Sequence, residues 1–593
     1  MVQMKYDTDV VMRKLWLHLL RDFRTSFGLE YATRPAKYLL DGGIKAFRAY
    51  KWPARSTVSP YLYKADYQLE SLFKRYRFKE DVYSDEQLTE MALEKFIANQ
   101  ERIATPFKRT LLVDMWLKKA RTIATKILGE YSLEEHYDLC RFGKRACVGT
   151  TYSNSYLDIK LDKKLTGSTE HISWFSKYQT TDSILSCLLE QSRAKRGGPL
   201  FDVCDTLNLA LVPKSYKSFR SILANTLLGS FVTLGLGKVI QSRLADKGLD
   251  IRHLQKRHGD LARTSSLTRQ NATADLSAAS DSISRELLRM ILPTKWYHAC
   301  TDGAIPYVNI KGKIYRMSSI VTMGMGHTFP LQTLVFYCLI KAIGELKGES
   351  STFVSVYGDD LIYPRRLHRY VRTLFPMVHL HLNGDKTYVE DYFRESCGSD
   401  FYHGVDVRPF CFQGGHQLVD RKRYAVFLYK LLNGLTRRWE KVEIPFAIDY
   451  ILSEIILTQE SVLQVPPSFP DGSGYKVERP KTEKFFAPVA YATSTQTLVF
   501  KYLHVCPNTR VVSFLYPYYW ERLRVSHNMI SETQERWDVP ADEPCIRWIR
   551  TKHPPHNYRS DLTGRRLRHL SPVVSSKNAS KLACQTGSVA DWI

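Results

Sequence analysis

The chain has 593 residues, too many for one small core, and its 44% hydrophobic and 12% aromatic content excludes a disordered chain. A formal net charge of +25 favours a polyanionic partner, with nucleic acid ahead of a membrane surface. Eleven cysteines without a CxxC pair argue against a zinc module and for reduced thiols.

The opening stretch, MVQMKYDTDVVMRKLWLHLL, carries acids and bases inside its apolar pattern, so it does not read as a secretory signal. Soluble and intracellular is the expectation. The first 200 residues have mostly helical spacing, clearest in SDEQLTEMALEKFIANQERIA (84–104), which follows a capping-box start at Ser84. AKRGGP at 194–199 is a candidate boundary. From about 205 to 412, glycine turns and short apolar runs alternate with helices, an α+β texture.

Within LVPKSYKSFRSI (211–222), Lys214, Lys217 and Arg220 recur every three residues around Tyr216. Such cations can face one anion together, and a triphosphate is a suitable guest; a solvated charged face is the alternative. SILANTLLGSFVTLGLG (221–237) is a poor membrane span and a better buried helix or loop. LGLGKV (234–239) lacks the distal Gly and the Ser/Thr of a Walker loop.

In ATADLSAASDSISRELL (272–288), Asp275 ends a short extended run and Asp281 precedes an apparent helix. Asp281 or Ser280 could simply cap that helix, which leaves Asp275 unexplained. SSIVTMGMGHTFPLQTLVFYCLI (318–340) sets Gly324, Thr328 and Gln332 four residues apart, with Pro330 suited to the first helical turn. A glycine loop entering a helix lets backbone approach a phosphate or ribose, although a plain turn is also compatible.

VSVYGDDLIYP (354–364) reads as a β-hairpin with Gly358 at the turn. Asp359 and Asp360 repel each other at its tip, and a cation is the cheapest relief. HLNGDKTYVED (381–391) then offers Lys386, and FRESCGSDFYHGVDVRPF (393–410) is a further apolar, Gly-turned stretch. VLQVPPSFPDGSGYKVERPK (462–481) reads as a loop or linker. Residues 544–593 hold nine Lys/Arg against two Asp/Glu, a basic tail. Asn-x-Ser/Thr sites at Asn271 and Asn578 read as incidental; a glycan at Asn271 would crowd Asp275.

The order is a basic segment, Asp-x5-Asp, Gly-x3-Thr-x3-Gln, Tyr-Gly-Asp-Asp, then a lysine. It resembles the palm motifs of viral RNA-directed RNA polymerases. DLSAASDSIS, VYGDDLI, FRESCG, GVDVRPF and PKxxKxxR at 213–220 look most like the replicase subunit of the single-stranded RNA bacteriophages, over roughly 211–412. The resemblance implies a right-hand α+β fold whose antiparallel palm sheet carries the YGDD hairpin. Fingers would lie mainly in 1–260, with the basic nucleotide clamp at 211–222; the palm in 261–420; the thumb and basic C-terminal region in 421–593.

It also implies RNA-templated RNA synthesis from ribonucleoside triphosphates, with two Mg²⁺ ions (or Mn²⁺) held by Asp275, Asp359 and Asp360. Asp359 would be the more direct ligand of the hairpin pair. Lys214, Lys217 and Arg220 would clamp the triphosphate, and Lys386 would protonate pyrophosphate or act electrostatically. Asp281 would bond the ribose 2′-hydroxyl. Gly324, Thr328 and Gln332 would complete the nucleotide site, Gln332 standing where many positive-strand RNA virus polymerases have Asn. Implied partners are template and product RNA, host translation elongation factors Tu and Ts, and a host RNA-binding ribosomal protein, without a membrane, in the cytoplasm of an infected bacterium. A reverse transcriptase shares the Tyr-x-Asp-Asp hairpin, but Asp281 and the Gly-x3-Thr helix suit ribose recognition. A non-catalytic basic RNA-binding protein has no need of three clustered acids.

Overall fold

Ser84 and Gln87 start helix α1 (Asp85–Ala104) by exchanging bonds: Gln87 N–H donates to Ser84 Oγ at 3.2 Å, and Ser84 N–H donates to Gln87 Oε1 at 2.9 Å. Thr110 caps α2 (Leu111–Leu128) by accepting from Val113 N–H. The basic segment folds into a hairpin of β1 (Thr206–Ser215) and β2 (Ser218–Ala224). The long uncharged stretch becomes a largely buried helix, α3 (Leu227–Ala245), capped by Thr226. Helix α4 (Leu254–Thr268) leads into β3 (Asn271–Ala274). Strands β4 (Tyr307–Ile310) and β5 (Lys313–Arg316) extend the β1–β2 sheet.

Helix α5 (Thr328–Leu346) is apolar nearly all round and correspondingly buried, with Pro330 in its first turn. It is followed by β6 (Ser355–Tyr357), β7 (Asp360–Pro364), β8 (Phe393–Ser396) and β9 (Ser399–Tyr402). Strands β6, β7 and β3 form one antiparallel sheet in that order, and β8 and β9 belong to a separate antiparallel sheet. Leu331, Leu334 and Val335 of α5 share one core with Trp116 of α2, Leu236 of α3 and Val356 and Leu361 of the hairpin. Trp116 Nε1 donates to Leu339 O at 2.8 Å, so the large ring is buried without an orphan donor.

The computed structural model describes residues 6–28, 33–52, 58–143, 146–150, 160–181, 183–349, 352–492, 497–504, 545–551 and 571–573. They fall into two compact units: the elements just given lie within Tyr83–Arg408, and the second unit joins chain before Tyr83 to chain after Arg408. In the second unit, Thr8–Phe27 packs with Arg421–Thr436 and Pro445–Gln459 around Trp16, Leu428 and Ile451. A four-stranded antiparallel sheet of Ala490–Ala492, Thr497–His504, Cys545–Thr551 and Ser571–Val573 also belongs to it.

Two expectations need correction. AKRGGP ends a helix (Ser183–Arg196), with Gly197 and Gly198 at φ +76° and +81°, but it lies inside the 83–408 unit rather than between units. The 462–481 segment is mostly loop, as expected, but not a free linker: Val462, Leu463, Val465 and Tyr475 are buried, and short parallel strands form at Gln464–Val465 and Tyr475–Lys476. Its apolar residues outweigh its turn residues. Apart from Cys545–Thr551 and Ser571–Val573, the basic tail, with Asn578, lies outside the described residues.

Candidate active site

The hairpin turn is two residues long, since Tyr357 pairs with Asp360 and leaves Gly358 and Asp359 between them. Gly358 has φ +64° and Asp359 does not share that sign, the pattern of a type II′ turn. Glycine is required twice over. A Cβ there would lie 2.3 Å from Phe329 Cε2 and 2.9 Å from Gln332 Nε2. Gly358 N–H donates to Thr333 Oγ1 at 2.9 Å, so the first turns of α5 support the tip.

Strand β7 pairs with β3 so that Leu361 faces Ala274, and one further step of that register sets Asp360 opposite Asp275. Segment 382–388 bridges to the other side of β3 at Thr273–Tyr388 and Leu276–Leu382. This brings Lys386 Nζ to 3.0 Å from Asp275 Oδ2 and 3.9 Å from Glu395 Oε1.

The charges strain against one another. Burial, then the neighbouring Asp359, Asp275 and Glu395, pushes Asp360 up to about 7, although Cys397 N–H donates to its carboxylate. Burial followed by Asp275 also raises Asp359. Burial alone would lower Lys386, but Glu395, Asp275 and Asp360 hold it above the ordinary lysine value. Lys214 is lowered by desolvation and by the cations Arg220 and Lys386, against the opposing pull of Asp275 and Asp359.

The basic hairpin divides its three cations. Pairing shifts between Pro213 and Ser215, so Lys214 is a bulged residue, and a bulge re-aims its side chain. Lys214 and Arg220 both lie within electrostatic reach of Asp359. Lys217 sits at the hairpin tip, between Ser215 and Ser218, which pair; all three cations are exposed, and they differ in position rather than in burial.

Asp281 sits in a 3-10 turn (Ser280–Ser282) and is 9% exposed. It does not cap the next helix, Arg285–Ile291; Ser284 Oγ does so by accepting from Leu287 N–H. The Asp281 carboxylate instead accepts from Ser280 Oγ at 3.3 Å and from Met323 N–H. Burial lifts it to about 6, against those bonds and Arg220. Asn99 of α1 donates to Asp281 O at 2.8 Å and fixes the turn from behind.

Gly324 lies in the loop before α5 at φ +118°, where a Cβ would fall 1.9 Å from Leu223 O. Leu223 N–H donates to Met323 O at 2.9 Å, joining this loop to β2. Thr328 begins α5 and donates its hydroxyl to Thr322 O at 2.7 Å, tying the start of the helix to the loop. Gln332 is buried against the Gly358 turn. The arrangement therefore gathers Asp275, Asp359, Asp360, Lys386, Lys214 and Arg220 electrostatically, with Asp281, Gly324 and Gln332 in the walls.

The family model described as "RNA replicase, beta-chain" matches residues 53–558. The chain belongs to that family. The RNA-directed RNA polymerase subunit beta of Escherichia virus Qbeta is 32% identical over 371 residues, 60% of this chain and 59% of that protein. The subunit of the same description from Enterobacteria phage SP is 38% identical over 204 residues, 34% of each chain. The chain thus spans 59% of the first relative's length and 34% of the second's. A solved RNA-dependent RNA polymerase of a human picorbirnavirus covers 43% of this chain and 60% of its own at TM-score 0.29 and 15% identity, a likeness too slight to bear on the fold.

Against this replicase-family background, several contributors escaped the sequence reading. Glu395 is a fourth carboxylate beside Lys386, Cys397 donates to Asp360, and Thr333 holds the turn. FRESCG was legible as a family stretch, but its chemistry depends on a fold contact. Among the described residues, one group of three ligand-type side chains has its atoms all within 4.8 Å: Asp7, Asp9 and His416, in the other unit. In that group Asp7 caps a helix by accepting from Asp9 N–H, Asp9 accepts from Tyr76 Oη and Lys79 N–H, and His416 Nδ1 lies 3.4 and 3.2 Å from the two acids without a hydrogen bond to either.

Proposed function

We propose that this chain is an RNA-directed RNA polymerase that copies an RNA template from ribonucleoside triphosphates and releases pyrophosphate. One observation carries the reading: Asp275, Asp359 and Asp360 come together with Lys386, Lys214 and Arg220 in a chain of the RNA replicase beta-chain family. In the right-hand reading, β3, β6 and β7 belong to a palm (261–420), the fingers come mainly from residues before 260, and the thumb from 421 onward. Residues before Tyr83 group with the chain after Arg408 in compactness.

The donor set suits a hard divalent cation, because three carboxylates supply oxygen ligands and their mutual repulsion with burial pushes Asp360 up to about 7. Asp275, Asp359 and Asp360 would hold two Mg²⁺ ions, with Mn²⁺ as an alternative, and bound cations would supply charge neutralisation and activation of the attacking 3′-hydroxyl. Lys214 and Arg220 bind the triphosphate oxygens and orient the nucleotide. Lys386, held protonated by Glu395 and Asp275, carries a proton toward the departing pyrophosphate. Asp281, anchored by Met323 N–H, keeps acceptor capacity for the ribose 2′-hydroxyl. The wider basic surface tracks template and product by their phosphates.

Host elongation factors Tu and Ts and a host ribosomal protein are proposed partners on family resemblance alone, as is the cytoplasm of an infected bacterium. The test is incorporation by the purified full chain on an RNA template with Mg²⁺, with and without bacterial extract. Ribonucleotide incorporation supports the reading; preference for deoxyribonucleotides would make the chain a reverse transcriptase. RNA binding without incorporation in either condition would leave a non-catalytic RNA-binding protein.

A further inference from the structure

His258 lies on α4, fully buried, outside the acidic site. Its Nδ1 is 2.8 Å from Ser396 Oγ and its Nε2 is 2.8 Å from Ser355 Oγ. Ser355 begins β6, the strand that leads to Asp359 and Asp360. Ser396 ends β8 and directly precedes Cys397. The two strands belong to different sheets, so no ladder of backbone bonds fixes one against the other. At the far end of β3, the buried Arg394 reaches across by donating to Asn271 O at 2.9 Å. At the end nearer the acids, the imidazole makes the crossing.

The neighbourhood of His258 is built to hold Cys397. Gly259 brings α4 so close to β9 that a Cβ would sit 3.0 Å from Ser399 Oγ. Gln255 Nε2 donates to Cys397 O at 3.4 Å. Cys397 and Gly398 form the two-residue turn between β8 and β9, with φ +52° and +76°, an I′-like pair of left-handed residues. That conformation is rare for a residue with a Cβ. Cys397 turns its N–H toward Asp360, and its thiol bonds the same carboxylate.

We infer that His258 is a positioning residue for Asp360: its imidazole clamps the Asp359–Asp360 hairpin to the Cys397 hairpin, and Cys397 fixes the carboxylate in turn. The inference rests on the polymerase reading and goes beyond it by assigning a residue that touches no substrate. Burial depresses His258 to about 4, so the ring is neutral, with one nitrogen donating and the other accepting. Each serine hydroxyl can take the complementary role.

The experiment compares the full chain with His258→Phe, His258→Gln, Ser396→Ala and the His258→Phe/Ser396→Ala double variant. Phe keeps the ring and loses both bonds; Gln keeps a donor and an acceptor. For Phe we expect kcat to fall on the order of tenfold or more, as misplacement of a reacting group does. The nucleotide KM should stay within about twofold, because ground-state binding is untouched. The Mg²⁺ concentration for half-maximal rate should rise several-fold, and Gln should recover most of both losses. The double variant should be no worse than the poorer single variant, since both break one bridge. Hydrogen exchange should quicken selectively in segments 354–364 and 395–400 of the Phe variant. That arm reports the clamp without any turnover, so it separates failure of the clamp from failure of the polymerase reading. Wild-type kcat and Mg²⁺ dependence in both Phe and Ser396→Ala variants, or exchange that quickens evenly across the 83–408 unit, would overturn the inference.

Discussion

Gly324→Ala probes how the wall around Asp281 is built. A Cβ at Gly324 would lie 1.9 Å from Leu223 O, and φ there is +118°. A carbon and a carbonyl oxygen settle at about 3.3 Å or more, so the loop must withdraw by more than ~1 Å. The obstacle is backbone within β2, which cannot rotate aside as a side chain can. Withdrawal breaks the 2.9 Å bond from Leu223 N–H to Met323 O, worth ~1 kcal/mol. It also takes Met323 N–H away from the Asp281 carboxylate, a bond to a charged group worth ~1.5–3 kcal/mol. Holding alanine at this φ costs a further ~1–3 kcal/mol. The whole penalty is ~3.5–7 kcal/mol if the withdrawn loop still holds alanine at this φ, and ~2.5–4 kcal/mol if the backbone relaxes out of it. Guanidinium unfolding should show the loss. Sugar discrimination, read as kcat/KM for ribo- against deoxyribonucleotides, should fall toward that of Asp281→Ala. Stability within ~0.5 kcal/mol of wild type together with full discrimination would refute the close approach and the Met323–Asp281 link.

Asp359→Asn should cut incorporation by several orders of magnitude, at ~3–5 kcal/mol for a lost transition-state contact, and leave RNA affinity nearly intact; quench-flow incorporation beside an RNA titration checks it. Arg220→Ala should raise the nucleotide KM on the order of tenfold, and Lys217→Ala, at the exposed hairpin tip, should do far less; steady-state kinetics with an RNA-binding salt series separates nucleotide from template effects. His258 is held near pKa 4 in the fold and returns to about 6.5 when unfolded, so its contribution is present above pH 6.5 and is lost as pH falls toward 4. The stability advantage of wild type over His258→Phe should therefore shrink by ~2 kcal/mol between pH 7 and pH 5, a difference from which the carboxylates cancel.

The sequence made the hairpin and the order of the acidic motifs legible because both rest on local chemistry. A Gly-Asp step between β-branched runs dictates a turn, and Pro330 marks the first turn of α5. What supports the acids was not legible, because each support crosses the chain. His258 reaches Ser355 across 97 residues and Ser396 across 138, and Thr333 reaches Gly358 across 25. Lys214 was grouped with Lys217 by spacing, but a bulge overrode that spacing.

The adjacency of Asp359 and Asp360 has a structural reason that spacing alone does not give. Asp359 occupies the turn, where backbone pairing makes no demand on it, and Asp360 is the first paired residue of β7, opposite Tyr357. Neighbours on a strand point to opposite faces, so two acids inside β7 could not serve one site. Placing one acid in the turn removes that restriction and lets both charges share a neighbourhood with Asp275. Burial and mutual repulsion raise both carboxylates, and the bond from Cys397 N–H to Asp360 supplies a fixed donor that offsets part of that cost.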